Sequence, residues 1–233
     1  MLSARNPRTQ PRLRAAVETI DPASIIDVLL PLVTDARRER LEEVVTSRVD
    51  AVTVVMDAPH DPHNGAAVMR SCDAFGVHQL HVVERTEAFV ASGAVAKGTE
   101  RWVDVYHHGH VPSAVGALEG RGYTLVGTHP EGRLTPGDLA ELPRVALVMG
   151  NEHDGICEAL AAACDEQVRV PMRGFVESLN VSVTAAILLS RATEGRAGDL
   201  DDLARRRLFA RYLMMTVPRA LEILDASGVT LDI

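Results

Sequence analysis

An α/β fold, doubly wound around a mainly parallel sheet with helices at both ends of the chain, is what this sequence predicts. Three observations predict it. Residues 51–56 (AVTVVM) and 145–149 (VALVM) are unbroken apolar, β-branched runs, the pattern of strands buried on both faces of a parallel sheet. Each run ends in a polar loop marked by proline or glycine. A helical pattern follows each loop, an order that places a ligand at the carboxyl edge of the sheet.

Taken in order, residues 1–23 are arginine-rich, and 1–10 are expected to be mobile. Residues 23–33 and 35–48 read as helices; Asp35 is the expected cap of the second, with Leu41, Val44 and Val45 as its apolar stripe. After the 51–56 strand, the loop 57–63 carries two prolines. Asn64 is the expected N-cap of a helix over 65–75, and Gly76 ends it at C′. A strand at 79–83 precedes residues 84–98, which have no clear period and read as a mobile loop or loose helix. A strand at 102–106, a helix at 111–118 and a strand at 123–127 lead to Thr128-His129-Pro130 and a polar connection, 131–143. The 145–149 strand enters a turn bracketed by Gly150 and Gly155. A short helix, a strand at 167–171 stopped by Pro171, a polar loop at 172–180 and an apolar helix at 181–189 complete the core. Residues 190–202 are polar, and 203–224 form a last amphipathic helix interrupted at Pro218. The expected divisions are 1–49, 50–192 and 193–233.

With 233 residues, 46% of them hydrophobic, the chain can bury one ample core. Its net charge of −8 counts against indiscriminate nucleic-acid binding. Residues 1–48 nevertheless carry eight arginines against seven acids, and the first fourteen hold four arginines and no acid. Any basic surface therefore starts with Arg12 and Arg14; Arg37 and Arg38 are either a solvated helix face or a phosphate-contacting arm. Three cysteines without metal-ligand spacing read as free thiols of a reducing compartment. Residues 25–33 are too short to span a bilayer and are broken by Asp27 and Pro31, so a soluble, cytoplasmic protein with no membrane partner is expected. Dinucleotide and phosphate-loop signatures, HExxH and GxSxG are all missing. His60/His63 and His107/His108/His110 lack companion ligands, and no metal is expected.

Three polar clusters remain, each after a predicted strand: Asp61-Pro-His-Asn64 with Arg70, Gly150-Asn-Glu-His-Asp-Gly155, and Glu177-Ser-Leu-Asn-Val-Ser182. Singly, each has an ordinary explanation as a cap or a turn. Their convergence on one sheet edge favours a site.

The residues also carry a resemblance. PHNGAAVMRSCDAFGV (62–77), LVMGNEHDGI (147–156) and VPMRGFVESLNVSVTAAIL (170–188) resemble, in order and spacing, the three motifs of the SpoU/TrmH branch of SPOUT RNA methyltransferases. The terminal helices resemble those of the tRNA (guanosine-2′-O)-methyltransferases in that branch. The resemblance implies a SPOUT-type α/β knot, a deep trefoil, and a homodimer with active sites near its interface. It implies S-adenosylmethionine as methyl donor, resting on backbone around Thr128, Gly150, Val170, Met172 and Leu179, with Ser178 at its methionine end. The implied reaction is attack of a ribose 2′-hydroxyl on the sulfonium methyl, in tRNA at guanosine 18 of the D-loop. The alternatives are ribosomal RNA as substrate, or a non-catalytic RNA-binding protein on the same fold. Arg70 matches the catalytic arginine, and Asn64, Glu152, Ser178 and Asn180 match the other polar site positions. Since a guanidinium holds its proton firmly at neutral pH and is a poor base, Arg70 either deprotonates with help from a phosphate or positions phosphate and hydroxyl. Arg101, Arg191 and Arg196 join the candidate RNA contacts. Departures are Asp61 where lysine is common, Glu177 for the usual glutamine, and Asn151 before Glu152.

Overall fold

The computed structural model describes residues 10–85 and 98–229. Nearly all of the mobile start expected over 1–10, and most of the mobile loop or loose helix expected over 84–98, lie outside the described residues. The chain divides into two compact units, residues 49–197 and a second drawn from 1–48 with 198–233. The two ends thus share one unit.

The first unit is a six-stranded parallel sheet: β1 (Val52–Asp57), β2 (Gln79–Val83), β3 (Asp104–His108), β4 (Thr124–Thr128), β5 (Val145–Met149) and β6 (Glu166–Val168), in the order β3-β2-β1-β5-β4-β6. The two apolar runs are neighbours in register, from Val52 opposite Val145 to Met56 opposite Met149. Every residue of both strands is buried, because the pleat sends alternate side chains into different cores. Val52, Val54, Met56, Leu147 and Met149 pack with Val68, Met69, Leu188 and Leu189. Val55, Ala146 and Val148 face the other way, onto Ala114, Leu118 and Leu160. Burying each of these aliphatic side chains contributes about 1.5–3 kcal/mol.

Helices α4 (Pro62–Ala74) and α7 (Val181–Ala192) supply the first layer, and α5 (Val111–Glu119) and α6 (Glu158–Ala162) the second. Cys157 caps α6 and Cys164 follows its end. Chain winding leaves β1 in one direction and β5 in the other, so a crevice opens between their carboxyl ends. Beside it, residues 129–134 run against 167–169 through His129 N–H to the Val168 carbonyl, Leu134 N–H to Gln167 and Arg169 N–H to Leu134. Gly132 permits that approach: a Cβ there would stand 2.6 Å from the Val168 carbonyl carbon.

The second unit is helical: α1 (Gln10–Thr19), α2 (Pro22–Leu29), α3 (Asp35–Thr46), α8 (Asp202–Thr216) and α9 (Ala220–Ala226). Thr34, rather than Asp35, caps α3, its hydroxyl accepting from Arg37 N–H; Asp35 sits in the first turn, where its charge favours the helix dipole. The last predicted helix is two, broken at Val217-Pro218-Arg219, where Arg219 adopts φ +58°. Within α8, residues 210–215 are all buried, so this helix is the unit's centre. It packs with α1, α2 and α3, whose Leu13, Ile25, Leu29, Leu41 and Val45 are buried. Arg48, 1% exposed, donates to the Tyr212 hydroxyl at 3.0 Å.

Candidate active site

The local chain at β1 explains how the site forms. The sequence suggested Asn64 as a helix cap; the structure assigns that task to Asp61, whose carboxylate accepts from His63 N–H at 2.8 Å, with Pro62 at N1. An Asp-Pro pair suits this because the acid satisfies an orphan amide and proline sets the helical φ. The side chain of Asn64, inside the first turn, is thereby released for other contacts.

Those contacts cross three segments. Asn64 Nδ2 donates to Glu152 Oε1, and Asn64 Oδ1 accepts from Asn180 Nδ2 at 3.0 Å. Asn180 caps α7, its Oδ1 accepting from the Ser182 N–H at 2.8 Å and the Ser182 hydroxyl at 2.6 Å. A polar chain therefore runs Glu152–Asn64–Asn180–Ser182, joining the loops after β5 and β1 to the start of α7. Glu152 is displayed at the tip of its turn by Asn151, whose Oδ1 accepts from His153 N–H at 2.9 Å and Asp154 N–H at 2.8 Å. The turn closes through Asn151 and Gly155. Gly150 allows this closure, since a Cβ there would lie 2.5 Å from Ile156 N and 2.6 Å from Gly155 Cα.

A cavity of about 450 Å³ adjoins this chain. Thr128, Gly150, Val170, Met172, Ser178 and Leu179 all line it, as do Glu152 and Asn180. Ile156, Val168 and Thr184 line it too and were not anticipated. A signal existed for two of them: Ile156 follows the glycine that closes the turn, and Thr184 lies one helical turn after Asn180.

Arg70 does not line this cavity. It is exposed on α4, six residues and so about 240° around the helix from Asn64. The candidate RNA-contacting arginines are divided between the two units. Arg14, Arg37 and Arg38 belong to the helical unit, where Arg37 bonds Thr216 and Arg38 pairs with Glu42 at 2.8 Å. The side chain of Arg12 lies outside the described residues. In the sheet unit, Arg101 is half-buried and Arg191 pairs with Glu194 at 2.7 Å. Arg196 has a different occupation from the one expected. Its guanidinium donates to the carbonyls of Leu139, Ala140, Leu142, Pro143 and Ala192, tying the end of α7 to the 3₁₀ turn Pro136–Glu141.

Residues 51–190 match the model of the SpoU rRNA Methylase family. The chain belongs to that family. It is 36% identical over 166 residues to the tRNA (guanosine(18)-2′-O)-methyltransferase of Thermus thermophilus, covering 70% of this chain and 84% of that one. Its fold is similar to the Aquifex aeolicus TrmH/SpoU tRNA modifying enzyme, with a TM-score of 0.69 and 25% identity, over 79% of this chain and 98% of that one. The SpoU methyltransferase AviRb of Streptomyces viridochromogenes, solved with AdoMet, is similar at a TM-score of 0.54 and 27% identity, over 66% of this chain and 62% of that one.

The SpoU-type cavity of this chain fits that cofactor chemically. Ile156, Val168 and Leu179 offer apolar surface for a flat heteroaromatic ring, and the hydroxyls of Thr128, Ser178 and Thr184 stand among them. Glu152 and Glu177 give the wall negative charge suited to a sulfonium and an ammonium.

Proposed function

We propose that this protein methylates a ribose 2′-hydroxyl of tRNA, at guanosine 18 of the D-loop, with S-adenosylmethionine as donor. The observation that carries the reading is the Glu152–Asn64–Asn180 chain beside a cavity lined by the residues of the second and third motifs. When bound, the cofactor supplies an electrophilic methyl on a positively charged sulfur. Asn64 fixes the Glu152 carboxylate at the cavity edge, where it accepts from a ribose hydroxyl and holds that oxygen in line. Asn180 fixes Asn64 in turn and leaves its amide one orientation. Arg70, outside the cavity, acts on the RNA side by holding a phosphate of the target nucleotide. The chain takes the knotted path of its family, a reading supported by the tight packing of residues 129–134 on 167–169. It works in the cytoplasm as a homodimer. Support for the dimer comes from the surface of α4 and α7, where Val183 is 47% exposed beside Ala67, Ala186 and Ile187.

The test is transfer of labelled methyl from S-adenosylmethionine into tRNA and ribosomal RNA, wild type beside Arg70→Ala, with the product nucleotide mapped. Label at the 2′-oxygen of tRNA guanosine 18, lost in the variant, is expected. Label only in ribosomal RNA moves the substrate to the second reading, which the family's description favours. No label in either RNA, from protein that binds the cofactor, overturns the enzymatic reading. Light scattering that returns a monomer overturns the dimer.

A further inference from the structure

Asp57, the last residue of β1, plays no part in the cavity or the polar chain, yet it is fully buried. A carboxylate with no exposure is costly unless it is paired and hydrogen-bonded. Its two oxygens meet two different loops, one through a hydrogen bond and the other through an ion pair alone. Oδ2 accepts from the Cys157 N–H at 2.7 Å, and Oδ1 pairs with the Arg85 guanidinium at 3.1 Å. Cys157 directly follows Ile156, which lines the cavity, and stands just past the turn that displays Glu152. Arg85 follows the end of β2. The next residue along from Asp57, Ala58, holds φ at +44°, a strained value for alanine, with its N–H bonded to the Val83 carbonyl at 2.9 Å. Strain of this kind persists only where the surroundings over-determine the backbone.

One buried carboxylate therefore sits where the loops after β1, β2 and β5 meet, at the point of the sheet where the winding reverses. The Asn64–Glu152 hydrogen bond joins the first turn of α4, which follows the β1 loop, to the turn after β5. We propose that Asp57 is a positioning residue: by accepting the Cys157 N–H it sets the place of the 150–157 turn, and so of Glu152 and the cofactor wall. The Arg85 pair orients that carboxylate inside the sheet edge. This inference rests on the cavity being the S-adenosylmethionine site.

The experiment measures S-adenosylmethionine affinity by calorimetry, without RNA, for wild type, Asp57→Ala and Asp57→Asn, each with a thermal melt. Asparagine keeps an acceptor oxygen in nearly the same volume; alanine has none. The expected result is an affinity lowered about tenfold or more in Asp57→Ala and held within about threefold in Asp57→Asn. In turnover with RNA, the alanine variant should raise the cofactor KM more than it lowers kcat. A purely structural role would lower the melting temperature of Asp57→Ala and leave the affinity of the folded protein unchanged, which would overturn the proposal. If the alanine variant does not fold, Asp57→Asn still tests the assignment: an about tenfold loss of affinity in folded protein sinks it. Wild type that fails to bind S-adenosylmethionine at all defeats the functional reading instead.

Discussion

Replacing Gly150 with alanine is the sharpest single test of how the cavity is built. The added methyl would lie 2.5 Å from Ile156 N and 2.6 Å from Gly155 Cα, and against the Gly155 carbonyl carbon as well. Carbon contacts are comfortable only near 3.5–4.0 Å, so the neighbour must retreat by about 1 Å. That neighbour is backbone, held by the Asn151–Gly155 pairing, and no side chain can swing away. Overpacking costs typically 1–3 kcal/mol, and rigid backbone places this case near 3 kcal/mol. For a unit of this size, about 2–4 °C is lost per kcal/mol, so the melting temperature should fall by roughly 6–12 °C. Because the displaced atoms are the cavity wall, S-adenosylmethionine binding should weaken by about tenfold or more. Differential scanning calorimetry and titration calorimetry on the same protein read both effects. A variant that melts within 1–2 °C of wild type and binds equally well would refute the account of the turn.

Other substitutions and a pH series follow from the same geometry. Asn64→Ala removes the donor to Glu152 and the acceptor for Asn180, both at the surface, so stability should change by only about 1 kcal/mol while methyl transfer falls by at least about 100-fold in single-turnover assays. Arg196→Ala strips donors from five carbonyls that water can partly reach; a loss of about 1–3 kcal/mol in urea unfolding is expected, with cofactor affinity intact. Burial alone would raise the Asp50 pKa, but the Arg144 hydrogen bond and the charges of Arg121, His78 and Arg144 outweigh it and hold the carboxyl below its usual value. A depressed folded pKa means that this stabilisation is present above the unfolded value, about 3.9, and lost as pH falls through the folded one. Unfolding free energies of Asp50→Asn and wild type should therefore converge below about pH 4. Burial pushes the Cys164 thiol up to about 11, so iodoacetamide should label it far more slowly at pH 8 than a free cysteine peptide; equal rates would contradict the packing.

The strands were the most legible part of the fold. β1 and β5 are buried on both faces, and such strands leave continuous apolar runs rich in β-branched residues. Boundaries were less readable where two residues compete for one role, as Asp61 with Asn64 and Thr34 with Asp35. In each case an oxygen one to three residues earlier reached the free amides first. The cavity-lining set was legible through the motifs, because glycine turns and hydroxyl-bearing loops after strands keep their spacing in sequence. Asp57 was passed over because an acid ending an apolar run looks like the start of a solvated loop; only its burial reveals otherwise. The carbonyl contacts of Arg196 are illegible for the converse reason. An arginine after a helix reads as a surface charge, while its partners are carbonyls more than fifty residues earlier in the chain.

The helical unit closes through α8, which is separated from α3 by roughly 150 residues of intervening chain. On the ribosome, at about 5–20 residues per second, the first three helices emerge about 10–30 s before the segment that fills their centre. Through that interval Ile25, Leu29, Leu41 and Val45 have no α8 to cover them. A nascent chain halted anywhere inside the sheet unit would carry this uncovered apolar face, a target for chaperones and proteases. The packing of α1, α2 and α3 is thereby tied to the synthesis of α8.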